Sequence, residues 1–139
     1  MHKTFSHDIK VYYEDTDAGG VVYYANYLKY LERARTEALS VFGLSNFKIK
    51  NDFGALIIVK SCNIEYKKSA YLEDKLKIKS YINSISKTSF VMSQSIFKDQ
   101  ELIVEAKIHL VFVNEKAKPL KIPEQIQIDF KPYISDATS

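Results

Sequence analysis

The hydrophobic spacing of the chain changes from a helical to a strand period after residue 54, and this change limits the folds open to it. Between about residues 22 and 42, apolar side chains recur every three or four positions, which predicts one long amphipathic helix. Gly43 is placed to stop that helix. After Gly54, apolar residues alternate with polar ones or form short blocks almost to the end of the chain. One long helix with about five strands predicts an α+β domain with an antiparallel sheet.

Five segments have the pattern of strands. They are 8–13, 55–66, 75–85, 89–97 and 102–113. The connection 44–53 should be irregular, with at most a short helical turn, and the segment after Pro123 fits either a short helix or another strand. Because one helix covers only one face of a sheet, the apolar residues on the other face suggest self-association.

The composition is that of an ordinary globular protein of 139 residues with a net charge of +3. This length predicts a single domain over 1–139, in which residues 1–7 and 131–139 are expected to be flexible. The mild charge does not indicate a nucleic-acid binder, which usually carries a basic stripe. The single cysteine excludes an internal disulfide. We find no signal peptide and no transmembrane segment, so we expect a cytoplasmic protein.

A cluster of acidic residues and a Gly-Gly turn lie just before the predicted helix. The acids are Glu14, Asp15 and Asp17. The first N–H groups of a helix have no intrahelical partner, so they can polarise a carbonyl and stabilise an oxyanion. A carboxylate that faces the same carbonyl can attack it or activate water. Asp17 is therefore the candidate catalytic residue, and the open alternative is that it only caps the turn while the other two acids are solvated.

A histidine-based triad has little support in this sequence. His2 and His7 lie in the lead-in that we expect to be flexible, and His109 lies in the middle of a predicted strand. The chain has no G-x-S-x-G elbow around a nucleophilic serine. Cys62, on another predicted strand, is interpreted as a small buried hydrophobic residue.

The spacing of the acids does not support a metal site either. Asp15 and Asp17 match the first two acids of a calcium loop. Gly19 and Asn26, however, occupy the third acid position and the position of the bidentate glutamate. No histidine–cysteine cluster has zinc spacing. We therefore expect neither a metal nor another cofactor.

Two segments of the chain resemble a known enzyme family. The segment 11–39, VYYEDTDAGGVVYYANYLKYLERARTEAL, is similar to the signature of the YbgC branch of the 4-hydroxybenzoyl-CoA thioesterase family, in the hotdog-fold superfamily. The segment 59–78, VKSCNIEYKKSAYLEDKLKI, resembles the second strand and turn of that family. The strand spacing fits as far as about Pro123, so the resemblance covers most of the chain. It implies a hotdog fold, in which a curved antiparallel sheet wraps one long central helix.

The resemblance also implies a reaction and an assembly. The reaction is hydrolysis of an acyl-CoA thioester to the free acid and CoA, at active sites on the interface of a dimer or a dimer of dimers. The implied partners are the acyl-CoA substrate and further copies of the chain, with acyl carrier protein as an additional candidate. The main alternative is a non-catalytic protein that binds acyl-CoA or acyl carrier protein. A hydratase has less support, because such enzymes typically rely on a histidine near the pocket.

Positions in the family motif imply the residues of the site. Asp17 would be the catalytic carboxylate, as nucleophile or general base, and the backbone N–H of Tyr24 would bind the thioester carbonyl. Asn26 is assigned to substrate binding and to holding the helix start. Val59 and Lys60 would line the pocket, and Lys87 would contact the CoA phosphates. Many YbgC-type sequences have histidine at the position of Tyr24, so this departure bears on substrate preference and rate.

Overall fold

The computed structural model of the protein describes residues 2–135 and shows one antiparallel sheet with helices packed on it. The helices among these residues are α1 (Ala25–Ser40), α2 (Asn46–Phe53) and α3 (Glu124–Phe130). The strands are β1 (Phe5–Lys10), β2 (Leu56–Tyr66), β3 (Lys75–Ile85), β4 (Ser89–Lys98) and β5 (Glu101–Val113). The predicted α+β class, with an antiparallel sheet of about five strands, is confirmed.

The expectation of one long helix is not confirmed, because the described part of the chain contains three helices. α1 has 16 residues and is shorter than the predicted span 22–42, since Val22 still forms an isolated β-bridge. Beyond its end, Gly43 takes a φ of 71°, a conformation typical of helix ends. α2 has 8 residues where at most a helical turn was expected. No helix within residues 2–135 is long and apolar enough to cross a membrane.

The sheet has the strand order β1-β3-β4-β5-β2, and all neighbouring strands are antiparallel. The four segments predicted as strands after Gly54 coincide closely with β2 to β5. β2 is an edge strand that pairs with β5 on one side only, within the described residues. Because it lies at this edge, Cys62 is exposed, and the interpretation of a buried cysteine is wrong.

α1 packs against one face of the sheet. The side chains that it buries follow the predicted helical period: Tyr27, Tyr30, Leu31, Ala34, Ala38 and Leu39. Gln94, on β4, is fully buried beneath this helix. Its side-chain nitrogen donates a hydrogen bond to the Leu31 carbonyl (3.0 Å), which joins the middle of α1 to the centre of the sheet.

The N-terminal strand begins earlier than the sequence pattern indicated. β1 starts at Phe5 rather than at Asp8, so residues 5–7 belong to a strand and not to a loose lead-in. The reason is packing: the Phe5 side chain is buried, and its ring stacks on that of Tyr133 with centroids 4.0 Å apart. Alternation alone did not reveal this contact, because its two partners are far apart in the sequence.

The C-terminal segment is helical rather than extended. The sequence after Pro123 fitted either a short helix or a strand, and the structure shows the helix α3 there. Residues 131–133 then form a 3-10 turn, and the Pro132 carbonyl accepts a hydrogen bond from the Lys3 N–H (2.8 Å). These three residues of the predicted flexible tail thus have regular backbone structure, whereas residues 136–139 lie outside the described part of the chain.

Candidate active site

Asp17 lies in a tight turn whose two sides are joined by backbone hydrogen bonds. Its backbone N–H donates to the Val21 carbonyl (2.9 Å), and its carbonyl accepts from the Gly20 N–H (3.0 Å). Gly20 has a φ of 77°, which residues with a Cβ rarely adopt. The carboxylate Oδ1 accepts from the Gly19 N–H (2.9 Å), so Asp17 does cap its own turn. The side chain is nevertheless exposed, and Oδ2 has no hydrogen-bond partner within residues 2–135, which leaves one oxygen available for chemistry.

Asp15 holds this turn against the helix, a role that sequence reasoning missed. Asp15 is only 7% exposed, so the alternative in which it is a solvated acid does not hold. Oδ2 accepts from the Tyr12 N–H (2.9 Å), and the backbone carbonyl accepts from the Tyr23 N–H (3.1 Å) and from Asn26 Nδ2 (2.8 Å). A signal was present in the sequence, because a carboxylate three residues after a turn start can reach back to the first N–H group.

The start of α1 presents backbone N–H groups that have no acceptor among residues 2–135. Tyr24 immediately precedes the helix, and neither its N–H nor that of Ala25 donates a hydrogen bond to any described residue. Such groups are suited to bind a carbonyl oxygen or an oxyanion. The Tyr24 side chain is exposed, and its ring packs edge-on against that of Tyr66 at the end of β2, with centroids 5.9 Å apart.

Tyr27 connects α1 to the loop on which the Asp17 turn rests. Its buried hydroxyl accepts from the Ala70 N–H (2.9 Å), and burial raises the pKa of this hydroxyl. The Ala70 carbonyl in turn accepts from the Val22 N–H (2.9 Å), and the Leu72 N–H donates to the Gly20 carbonyl (3.0 Å). The turn, the helix start and residues 70–72 therefore form one hydrogen-bonded unit.

Lys60 lies at an irregularity of β2. Val59 pairs with Leu110 and Ser61 pairs with His109, so Lys60 is the extra residue of a β-bulge. Bulges change the direction in which side chains leave a strand, and they are frequent next to functional sites. Val59 is 49% exposed although it is apolar, and the Lys60 side chain is exposed too.

Lys87 lies at the opposite end of the sheet from Asp17. Its turn is hydrogen-bonded to β5 at Phe112, which pairs with Ile57 near the start of β2. The Asp17 turn contacts residues 70–72 instead, which follow the end of β2. β2 has 11 residues, and at about 3.3 Å per residue its ends are about 33 Å apart. One chain therefore does not bring all the predicted site residues together.

The sequence and the fold of this chain are matched by known proteins. The family model described as the thioesterase-like superfamily matches residues 11–130. The chain belongs to the thioesterase-like superfamily. This superfamily member is 40% identical over 129 residues to the acyl-CoA thioester hydrolase YbgC of Escherichia coli O6:H1, a match that covers 91% of the chain and 96% of the relative. It is 32% identical over 127 residues to the acyl-CoA thioesterase YbgC of Haemophilus influenzae, with coverage of 91% and 93%.

A solved structure agrees with this family assignment. The 1,4-dihydroxy-2-naphthoyl-CoA thioesterase of Synechocystis superposes on this thioesterase-superfamily protein with a TM-score of 0.85 at 25% identity, covering 93% of this chain and 96% of that one. The family predicted from segment 11–39, and the thioester-hydrolase class that it implied, are confirmed. The individual roles of the six predicted site residues stay predictions.

Proposed function

We propose that the protein is an acyl-CoA thioesterase in which Asp17 and the start of α1 act on the same thioester carbonyl. In this reaction the C–S bond of the thioester breaks, water supplies the new oxygen of the free acid, and CoA leaves as the thiol. The observation that carries the proposal is an exposed Asp17 carboxylate, in a turn that leads into the start of α1, together with a Tyr24 N–H that has no acceptor in the described chain. The names of the two YbgC relatives support acyl-CoA as the substrate class.

Each part of the site has a defined task in this proposal. The Tyr24 N–H and the helix dipole stabilise the oxyanion, a contribution typically worth about 10²–10³ in rate for one donor. Asp17 either attacks the carbonyl through its free Oδ2 or removes a proton from the attacking water. The Asn26 amide donates to the Asp15 carbonyl, so we assign it to positioning the helix start rather than to direct substrate contact.

The active site would be completed by antiparallel pairing of β2 with β2 of a second copy. Such pairing places the start of one β2 beside the end of the other. Lys87 and Val59 would thereby approach the partner subunit's Asp17, although the two groups are separated within one chain. α1 would then be the central helix of each protomer, wrapped by a continuous sheet.

The chemistry of the β2 edge supports this assembly. A long, exposed, apolar edge strand is normally avoided in a monomer because it pairs readily with other strands. β2 has 11 residues, and its apolar side chains Ile58 and Val59 are 42% and 49% exposed. A second β2 would cover these side chains and satisfy the free backbone groups of this edge.

The proposed reaction is tested by replacing Asp17 with asparagine. Asp17→Asn should reduce acyl-CoA hydrolysis by at least about 10²–10⁴-fold, the usual contribution of a positioned acid–base group. Glu14→Gln is the matched control, because Glu14 is an exposed acid of the same cluster. Release of free thiol from short, long and aromatic acyl-CoAs measures turnover, and circular dichroism verifies folding. Turnover by Asp17→Asn at the wild-type rate would exclude this mechanism.

Two other results would change the proposal in defined ways. Saturable acyl-CoA binding without turnover by the wild type would favour the non-catalytic binding protein. In single-turnover hydrolysis in ¹⁸O-labelled water, label in the Asp17 carboxylate would support the nucleophilic role. Label in the released acid alone would support the general-base role.

Because acyl-CoA thioesters are intracellular metabolites, the proposed substrate also agrees with the expected cytoplasmic location.

A further inference from the structure

A cavity of about 280 Å³ lies between the C-terminal half of α1 and the sheet. Its lining is mostly apolar, with Phe42, Phe90 and Phe130 among the side chains that form it. The polar residues Glu32, Thr36 and Asn46 also line it. Arg35, on α1, also lines this cavity, although an apolar lining is a poor environment for a charge. Asp17 is not among its lining residues, so the cavity is separate from the catalytic turn of the same chain.

Arg35 makes few direct polar contacts within the described residues, although the exposed Glu32 carboxylate lines the same cavity and partly offsets the effect of burial on its pKa. One guanidinium nitrogen donates to the Gln94 side-chain oxygen (3.0 Å), and Arg35 forms no salt bridge with the described residues. An arginine has five N–H donors, so several of them lack a protein acceptor in this part of the chain. Burial lowers the pKa of Arg35, which reflects the cost of removing its charge from water.

The position of the guanidinium is fixed by Gln94. This side chain is fully buried, and its nitrogen donates to both the Leu31 carbonyl (3.0 Å) and the Ser80 hydroxyl (3.1 Å). Because both N–H groups are used, the amide oxygen is left to accept from Arg35. Arg35 is thereby held towards the sheet, on the cavity wall, instead of extending into water.

The unpaired N–H donors of the Arg35 guanidinium require an acceptor, which an oxygen atom on a molecule in the cavity would supply. A partly desolvated guanidinium is costly unless acceptors reach it, and carboxylates and hydroxyls are its usual partners. The size of the cavity sets the rest of the ligand. An apolar cavity of about 150 Å³ holds benzene, so about 280 Å³ has room for a six-carbon group with a terminal oxygen.

The location of the cavity connects it with the thioesterase site. Ile57 and Val59 line it, and both lie towards the start of β2. The antiparallel β2 pairing proposed above brings this end of β2 towards the partner subunit's Asp17. An acyl group whose thioester lies at that Asp17 can therefore extend into the cavity. This step depends on the proposed function and on its dimer.

We propose that Arg35 is a specificity-determining residue that binds an oxygen at the far end of the acyl group, a hydroxyl or a carboxylate. The apolar part of the lining holds the acyl carbons, and Gln94 holds the guanidinium in place. A plain alkyl chain of equal length fills the same space but leaves the Arg35 donors without an acceptor. The enzyme therefore prefers an acyl group with a terminal oxygen over the unsubstituted one.

The test compares three acyl-CoAs of equal chain length: hexanoyl-CoA, 6-hydroxyhexanoyl-CoA and adipoyl-CoA. For the wild type, kcat/KM for at least one oxygen-bearing substrate should exceed that for hexanoyl-CoA roughly ten-fold or more, as for a hydrogen bond to a charged group. The substrate with the larger ratio distinguishes a hydroxyl from a carboxylate. Arg35→Met should remove the preference, and Arg35→Lys, which keeps the charge, should retain part of it. Both ratios near one in the wild type would overturn the proposal.

Lys29→Met is the matched control, because it removes one positive charge from an exposed position of α1. It should leave the substrate ratios unchanged, whereas a change as large as that of Arg35→Met would indicate a general charge effect and refute the proposal. Binding of the same thioesters to Asp17→Asn, with and without Arg35→Met, is measured by calorimetry. An Arg35-dependent binding preference without wild-type turnover would refute the proposed function alone. Turnover without an Arg35-dependent preference would refute this inference alone.

Discussion

Loss of the hydrogen bond between Tyr27 and Ala70 should weaken the attachment of the Asp17 turn to α1. Tyr27→Phe removes only the hydroxyl that accepts from the Ala70 N–H (2.9 Å). Tyr27 is 3% exposed and Ala70 is fully buried, so water does not readily replace the lost acceptor. The ring remains in the core, and the substitution therefore leaves apolar packing intact.

The expected cost follows from the buried amide that remains. An N–H group left without a partner in the interior costs about 1–3 kcal/mol of unfolding free energy. For a chain of this size, that cost corresponds to a Tm lower by roughly 3–10 °C. Thioester hydrolysis should also fall, because residues 70–72 are hydrogen-bonded to the turn that carries Asp17.

Urea denaturation followed by circular dichroism measures the change in unfolding free energy, and hydrogen exchange reports on the Ala70 amide directly. Tyr13→Phe is the control, since Tyr13 is 82% exposed. Its effect should stay within about 0.5 kcal/mol, as for most surface substitutions. A Tyr27→Phe protein as stable as this control, with unchanged exchange at Ala70, would refute the reasoning.

Two further predictions concern alkaline pH and the β2 edge. Burial, and then the Asp15 carboxylate, raise the pKa of Tyr30 above its ordinary value of 10.0. The folded protein thus keeps a proton that the unfolded chain loses above pH 10. Unfolding free energy should fall as pH rises from 10, by at most about 1.4 kcal/mol per unit from this group. Tyr30→Phe should make that fall shallower in urea denaturation at pH 9–11, and equal slopes would contradict this. Ile58→Lys, at the exposed β2 edge, should shift a dimer towards monomers in sedimentation velocity, whereas Ile128→Lys on α3 should not. The same mass for both variants would argue against β2 pairing.

Local sequence patterns were sufficient for most of the secondary structure. Period-two alternation located β2 to β5 because the side chains of a strand point to opposite faces whatever lies next to it. The Gly-Gly turn indicated where Asp17 would be held, because Gly20 adopts a backbone conformation that other residues avoid. The pattern did less well for β1, whose start depends on the contact between Phe5 and Tyr133.

The sequence by itself therefore determined the fold class, the family and the candidate carboxylate, since each depends on residues that are close together in the chain. Tertiary structure decided which acid is buried and where β2 lies in the sheet. Asp15 and Asp17 are two residues apart, yet only Asp15 is enclosed, because Asn26 and Tyr23 donate to its carbonyl and draw it against α1. The edge position of β2 exposes Cys62 and separates Lys87 from Asp17, because strand order is set by contacts between distant segments and not by the period of any one strand.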